Sequence, residues 1–487
     1  VKPQPIHFGT DGWRGVVADD FTYSNVRAVS QSVADYLAGD PRPVVVGHDT
    51  RYCAELFARE VARVLAANGR QVLLLNGPAP TQVSSWTVVD RGAAGGVVVT
   101  ASHNPPEFNG LKYKPDYGGS APPEIVTELE RLTAIAQQDD DAVRTMPFDE
   151  ALAAGRVEII DPRPAYIAQI GRMVDLPRLR DAGLHILHEA MYGSGAGWVA
   201  MLLSGGRTVV DELHAERNPA FGGLHPEPIE QYMPEAMQRM RAGGYDLGIA
   251  NDGDADRVGI VDERGVFVNQ LQVMALLSMY LLEKRGERGP LVRSLTTTEM
   301  VDKLGERFGV PVYELQVGFK YIGPKMTETG ALIGGEESGG FGFRGHLPER
   351  DGILAGLMVA QMVVDYGMPL SRILAHLEEL VGPHAYARHD IQLPREGYDQ
   401  RREELYARIR SNPPAELAGA RVVRTRDDDG FKYYLEDGSW VLVRFSGTEP
   451  LIRVYSEAQT RERVDELLHA LESYLGLESP VAAGAAH

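Results

Sequence analysis

Short apolar runs alternate with amphipathic stretches along most of the chain, and their spacing changes as they do. Valine- and leucine-rich runs at 43–49, 71–75 and 96–100 predict buried strands, while apolar residues at helical spacing predict helices at 52–67 and 125–135. The succession returns with strands at 184–188, 247–250 and 258–262 and a helix at 197–203. It returns again with strands at 291–295 and 331–334 and helices at 271–283, 300–308, 353–364 and 371–380. That order is α/β. Beyond 382 the strands crowd together, at 386–393, 432–435, 440–445 and 452–455, with helices near 400 and 465, which predicts a smaller α+β domain.

Three mixed α/β domains followed by a smaller C-terminal one are therefore expected, at 1–150, 151–262, 263–382 and 383–478. Asp139-Asp140-Asp141 and Pro162-Arg163-Pro164 bracket the first boundary, and the alanine- and glycine-rich stretch 479–487 reads as a flexible tail. The three α/β units do not show sequence similarity to one another that would prove a repeat.

At 487 residues and 44% hydrophobic content the chain suits several ordered domains, each with its own core. Formal charge is −19, which argues against a broad nucleic-acid surface but leaves room for a few arginines around a phosphate. No apolar span is long enough for a membrane helix and the first residues lack a secretory pattern, so a cytoplasmic location without membrane partners is expected. A single cysteine, Cys53, excludes an intrachain disulfide and a cysteine-built metal centre, and its helical context gives it a packing role. Monomer and homodimer are both open.

Chemistry concentrates in the loops. The strand at 96–100 empties into Ser102-His103-Asn104-Pro105-Pro106, where the prolines stiffen the backbone behind an exposed hydroxyl. Asn251-Asp252-Gly253-Asp254-Ala255-Asp256-Arg257 packs three carboxylates into five positions, and in extended geometry they turn to one side. Such a cluster calls for a hard cation, and Mg²⁺ fits better than Ca²⁺ because the twelve-position calcium loop is absent. A phosphorylated Ser102 beside Mg²⁺ would be a phosphoryl donor. Lys112, ten residues on, is open between an acid/base group and a charge stabiliser; His103 and Arg257 are placed to contact transferring oxygens.

Other loops suit a ligand with hydroxyls and phosphate. Gly335-Glu336-Glu337-Ser338-Gly339-Gly340 offers Glu336 and Ser338 to a sugar, both pointing one way if the loop is extended. Arg444-Phe445-Ser446-Gly447-Thr448-Glu449-Pro450 with Arg453 reads as a phosphate cradle, unlike a nucleotide P-loop. Arg14, in an N-terminal turn at 9–15, and Lys320, at a strand-to-helix passage, are further basic candidates.

With Thr100-Ala101-Ser102-His103-Asn104-Pro105 followed downstream by Asp252-Gly253-Asp254-Ala255-Asp256-Arg257, residues 5–475 resemble the α-D-phosphohexomutase superfamily. The resemblance implies four domains around a central cleft and Mg²⁺ held by phosphoserine 102, Asp252, Asp254 and Asp256. It implies that Glu336 and Ser338 contact the sugar, and that Arg444, Ser446, Gly447, Thr448 and Arg453 hold the phosphate that is not moving. The implied reaction passes through a hexose 1,6-bisphosphate that reorients in the site. Where some relatives carry a histidine in the sugar loop this chain has Gly340, and His346 is not taken as its substitute. That pattern points to glucose phosphate; mannose phosphate, both sugars, or glucosamine phosphate are the alternatives, and a sugar-phosphate-binding protein without turnover is the nonenzyme one.

Overall fold

The computed structural model describes residues 5–9, 11–139, 142–445 and 450–477. Its four sheets correspond to four domains, the last the smaller, as the sequence pattern predicts. In the first, strands Trp13–Val16, Phe108–Pro115, Gly95–Val99, Val44–His48, Val72–Leu75 and Val157–Ile160 lie side by side in that order. The last four pair in parallel and the two at the other edge antiparallel. Val44, Val46, Val97 and Val99 share a core with Val29 and Val33 of helix Tyr23–Tyr36 and Phe57 and Val61 of helix Ala54–Ala67. Helix Thr81–Asp90 lies against these strands as well, with Ser84 at Gly47 and Val88 at Gly96, so the sheet is covered on both faces and its strands read as unbroken apolar runs.

The second and third domains repeat the plan. Leu247–Asn251, His185–Glu189 and Val209–Leu213 pair in parallel, with Val258–Val261 and Phe267–Val268 returning antiparallel. Val312–Leu315, Leu291–Ser294 and Ile333–Gly335 pair in parallel, and Phe341–Phe343 returns antiparallel. The serine, aspartate and glutamate–serine loops are thus equivalent in topology. Each leaves the last parallel strand of its sheet and turns back into an antiparallel one, so the repeat hidden in sequence is visible in connectivity.

In the fourth domain all neighbours are antiparallel: Ala385–Gln392, Leu451–Ala458, Trp440–Phe445, Phe431–Leu435, Ala420–Arg426 and Glu416–Leu417. Helices Tyr398–Ser411 and Arg461–Leu475 accompany them. The chain forms two compact units: residues up to Thr297 with Leu304–Leu374, and Thr298–Lys303 with Ala375 onward. Among the described residues no single helix is long and apolar enough to cross a membrane.

Three local expectations change. Residues 9–15 are not simply a turn, because Trp13–Val16 is a strand in which Arg14 faces Gly110. The segment after Ser102 becomes a strand at Phe108, placing Lys112 opposite Val98. Helix Thr81–Asp90 escaped notice because its β-branched and hydroxyl residues have weak helix propensity; burial of Val83 and Val88 in the domain favours it instead. The tail at 479–487 lies outside the described residues.

Candidate active site

Ser102 sits three residues beyond the end of strand Gly95–Val99 in left-handed backbone, φ 52°. That conformation is costly for a residue with a side chain and needs support. Thr100 accepts the Ser102 N–H at 2.9 Å and donates its hydroxyl to Asp49 at 2.6 Å. Arg51, wholly buried, donates to the carbonyls of Ser102 and Asn104, both at 2.6 Å, Pro105 at 2.9 Å and Phe108 at 3.0 Å. One guanidinium thereby gathers four carbonyls of the serine loop, while its Nε lies 3.2 Å from Asp49. Burial pushes the Asp49 carboxyl up to about 6 despite Arg51 and Thr100.

Thus held, the Ser102 hydroxyl donates to Asp252 at 2.8 Å. The loops meet backbone to backbone: a Cβ on Gly253 would lie 2.5 Å from the Ser102 carbonyl oxygen, so only glycine permits this approach. Asp252, Asp254 and Asp256 are fully buried and offer oxygens within 4.8 Å of one another. Their convergence does not come from extended backbone as expected. Ala255 is left-handed, φ 60°, and its N–H bonds the Asp252 carbonyl at 3.0 Å, so a turn brings the side chains together.

The carboxylates are compensated asymmetrically. Thr81 and Lys112 both donate to Asp254 Oδ2, at 2.6 and 2.8 Å; Lys112 also reaches Asp256 Oδ2 at 3.1 Å and Asp11 at 2.9 Å. Asp254 Oδ1 and Asp256 Oδ1 are buried without a hydrogen-bond partner. Two unsatisfied anionic oxygens beside a third carboxylate fit a hard divalent cation such as Mg²⁺. Burial drives Asp252 well above the carboxylate range, reinforced by the Asp254 and Asp256 charges. For Asp254 burial acts the same way, but the Lys112 ammonium overcomes it and holds the group low. Burial disfavours the Lys112 ammonium too, yet the surrounding aspartates raise its pKa and keep it charged.

Basic groups line the serine side. Arg14 donates to Asn104 at 2.6 Å, and Arg257 pairs with Glu227 at 2.9 Å and lies 4.0 Å from Asp252. His103 Nδ1 stands 3.4 Å from the Ser102 hydroxyl oxygen; burial, with Arg257 and Arg14 nearby, keeps its ring neutral. The sugar-loop candidates belong to the same unit. That loop is a closed turn rather than extended, with Glu336 N–H bonded to Gly340 O and Gly339 N–H to Glu336 O, both at 3.1 Å. Glu336 is buried and accepts from the Gly318 N–H, which joins the turn before Lys320 to the loop; Ser338 and Lys320 are half-buried.

In the other unit, Arg444 and Arg453 face each other across neighbouring strands. Arg444 donates to Asp429 at 2.9 and 3.1 Å, and Arg453 lies 3.7 Å from Asp390. Ser446, Gly447 and Thr448 lie outside the described residues.

Family models named for the α/β/α domains I, II and III of phosphoglucomutase/phosphomannomutase match residues 5–140, 164–265 and 269–380, and the C-terminal-domain model matches 401–473. The chain belongs to the phosphoglucomutase/phosphomannomutase family. A phosphoglucomutase/phosphomannomutase of Thermococcus kodakarensis is 31% identical over 95% of this chain and 96% of its own. A probable phosphoglucosamine mutase of Methanopyrus kandleri is also 31% identical, over 95% and 96%. The crystal structure of a putative phosphomannomutase from Thermus thermophilus superimposes with TM-score 0.84 at 35% identity, covering 97% of this chain and all of that one. Membership in the α-D-phosphohexomutase superfamily brings with it phosphoryl transfer of the phosphohexomutase type, with Mg²⁺ and a bisphosphate intermediate.

Several residues in this family member's site escaped sequence reasoning. Asp11, Lys114, Glu349 and Arg350 complete the buried charge network: Lys114 reaches Asp11 at 3.2 Å and Glu349 at 2.7 Å, and Arg350 pairs with Asp11. Glu349-Arg350-Asp351 directly before a long apolar helix was the available signal, since charge there must be paired to be buried. Arg51 was announced by Asp49-Thr50-Arg51 at the exit of an all-buried strand. His346 is no stand-in at Gly340: its side chain is wholly buried, bonded to Asp351 at 2.9 Å and stacked on Trp86.

Proposed function

We propose that this protein is a phosphohexomutase that interconverts the 1- and 6-phosphates of glucose and of mannose, with Ser102 as the phosphoryl carrier. The observation that supports it most is the Ser102 hydroxyl donating to Asp252 beside two unpartnered carboxylate oxygens. In the cycle, phosphorylated Ser102 donates to a hydroxyl of a hexose monophosphate: the bond between phosphorus and Oγ breaks, one to the sugar oxygen forms, the proton of the sugar hydroxyl ends on the released Ser102 Oγ, and a hexose 1,6-bisphosphate results. After reorientation the other phosphoryl group returns to Ser102 and the isomeric monophosphate leaves.

Held by Asp252, Asp254, Asp256 and the phosphoryl group, Mg²⁺ would neutralise charge on the transferring oxygens. Arg14 and Arg257 supply fixed positive charge on the serine side. Lys112, held as an ammonium by three aspartates, serves as charge stabiliser rather than proton acceptor. Glu336 and Ser338 read sugar hydroxyls, Lys320 offers a further positive charge to an anionic ligand, and Arg444 and Arg453 bind phosphate. Neutral His103 orients the Ser102 hydroxyl.

The comparisons favour action on both sugars over glucose alone, since relatives of comparable similarity carry phosphoglucomutase/phosphomannomutase and phosphomannomutase names. The equally similar probable phosphoglucosamine mutases support a second reading, preference for glucosamine phosphate. Initial rates on glucose, mannose and glucosamine 1-phosphates, with Mg²⁺ and catalytic hexose 1,6-bisphosphate, decide between them. Comparable glucose and mannose turnover is expected; dominance of glucosamine phosphate would replace this reading with the second.

A further inference from the structure

Gly340 closes the sugar loop, and the space where its side chain would stand is filled by another residue. A Cβ at Gly340 would lie 2.7 Å from Arg350 Cγ and closer still to Cδ, 3.4 Å from its Cβ. These are atoms of the arginine stem, not its free end, so the stem would have to move. It has little room: Arg350 N–H donates to Glu349 at 3.0 Å, and the next residue, Asp351, donates its N–H to Phe341 O at 2.9 Å and caps helix Gly352–Tyr366. The stem can therefore reach the interior along one path, over a residue without a side chain.

At the end of that path the guanidinium meets four carboxylates. It is 3.0 Å from Asp256 Oδ2, in contact with Asp11, 3.3 Å from Glu349 and 3.8 Å from Glu336 Oε2, with only 7% of its side chain exposed. On Asp256 both cations, Lys112 and Arg350, engage the same oxygen, Oδ2. Oδ1 is left unpartnered. A carboxylate gripped on one oxygen by two cations cannot rotate freely, so its other oxygen keeps one direction. The planar fork of arginine allows it to hold Asp256 and Glu336 at once; a lysine ammonium is a point charge that cannot span them equally well.

We propose that Arg350 is a positioning residue that aims Asp256 at the cation while holding Glu336 of the sugar loop, and that position 340 is glycine to admit its stem. The inference rests on the reading of the three aspartates as the metal site and of Glu336 as a sugar contact. It links cation affinity to sugar binding through one side chain and makes Gly340 a determinant of both.

The test uses the full chain, with Mn²⁺ as the probe and free Mn²⁺ counted by electron paramagnetic resonance, alongside KM for the sugar phosphate that wild type turns over best. Arg350→Met is expected to weaken Mn²⁺ binding about tenfold or more, the size of loss common for groups that orient metal ligands, and to raise KM. Arg350→Lys should recover part of both. Gly340→Ala, which keeps every charge and only obstructs the stem, should shift Mn²⁺ affinity and KM in the same direction. Because both changes act through one side chain, the double variant should be no worse than Arg350→Met alone. Wild-type Mn²⁺ affinity and KM in Gly340→Ala, or losses that multiply in the double variant, would overturn the proposal. Should Arg350→Met fail to fold, Gly340→Ala against Arg350→Lys still decides it. Absence of Mn²⁺ binding in wild type would overturn the metal-site reading itself, a result distinct from normal wild-type binding with indifferent variants.

Discussion

Around Asp254 and Asp256 each buried carboxylate faces a cation, whereas around Glu457 and His384, in the other unit, burial prevails over pairing. Lys112 sits 2.8 Å from Asp254 and 3.1 Å from Asp256, and the result is a low Asp254 and an ammonium held charged. Glu457 accepts from the Glu299 N–H at 3.1 Å, yet burial pushes it up to about 7 against the opposing pull of Thr298 and Lys432. His384 lies 3.9 Å from Glu457 and 3.0 Å from Lys303, and burial lowers it to about 4. Buried groups shed charge by default. Where charge persists, as in the site, cations were placed to keep it.

The sharpest way to break that contrast is Lys112→Met. It removes the cation shared by Asp11, Asp254 and Asp256, so turnover should fall by roughly a thousandfold and stability by about 3–5 kcal/mol, the range for stripping a partner from a buried ion pair. Steady-state kinetics and chemical denaturation read the two; near-normal values of either would mean that the network is not compensated through Lys112.

A smaller effect probes the other cluster. Glu457, at about 7 against an ordinary 4.5, binds an extra proton when folded, so its contribution to stability falls as pH rises through 4.5–7 and is level above. His384, at about 4 against 6.5, stays neutral when folded while the unfolded chain takes a proton, so its contribution falls as pH drops from 6.5 to 4. Each gap, 7 − 4.5 and 6.5 − 4, is worth at most about 3–4 kcal/mol, and in the overlapping window the two oppose each other. Denaturation of wild type should therefore show little dependence on these groups near pH 5–6. Glu457→Gln should unmask a loss of stability toward acid, and His384→Gln a loss toward neutral pH. Identical slopes in both variants would contradict the assignment.

The contrast also explains what could be seen in the chain beforehand. Ser102 and the three aspartates were legible because each loop is local, a few residues at the exit of an apolar strand. The reason given for the aspartates' convergence was not, because the left-handed Ala255 carries no mark in its identity. Arg51, Asp11 and Arg350 were missed because their meaning lies in distant partners: Arg350 and Asp11 are separated by 339 residues, and Arg51 reaches carbonyls more than 50 residues away. Strand Trp13–Val16 is too short for a period to register, and Ala420–Arg426 carries arginines at largely exposed positions that read as loop.

The central claim is that Ser102 carries the phosphoryl group, and the most direct measurement is intact-protein and peptide mass spectrometry after incubation with hexose 1,6-bisphosphate. The account predicts one phosphoryl group on Ser102, lost to a hexose monophosphate when Mg²⁺ and sugar are added, and neither phosphorylation nor turnover in Ser102→Ala. A phosphoryl group on another residue, or undiminished turnover by Ser102→Ala, would contradict it.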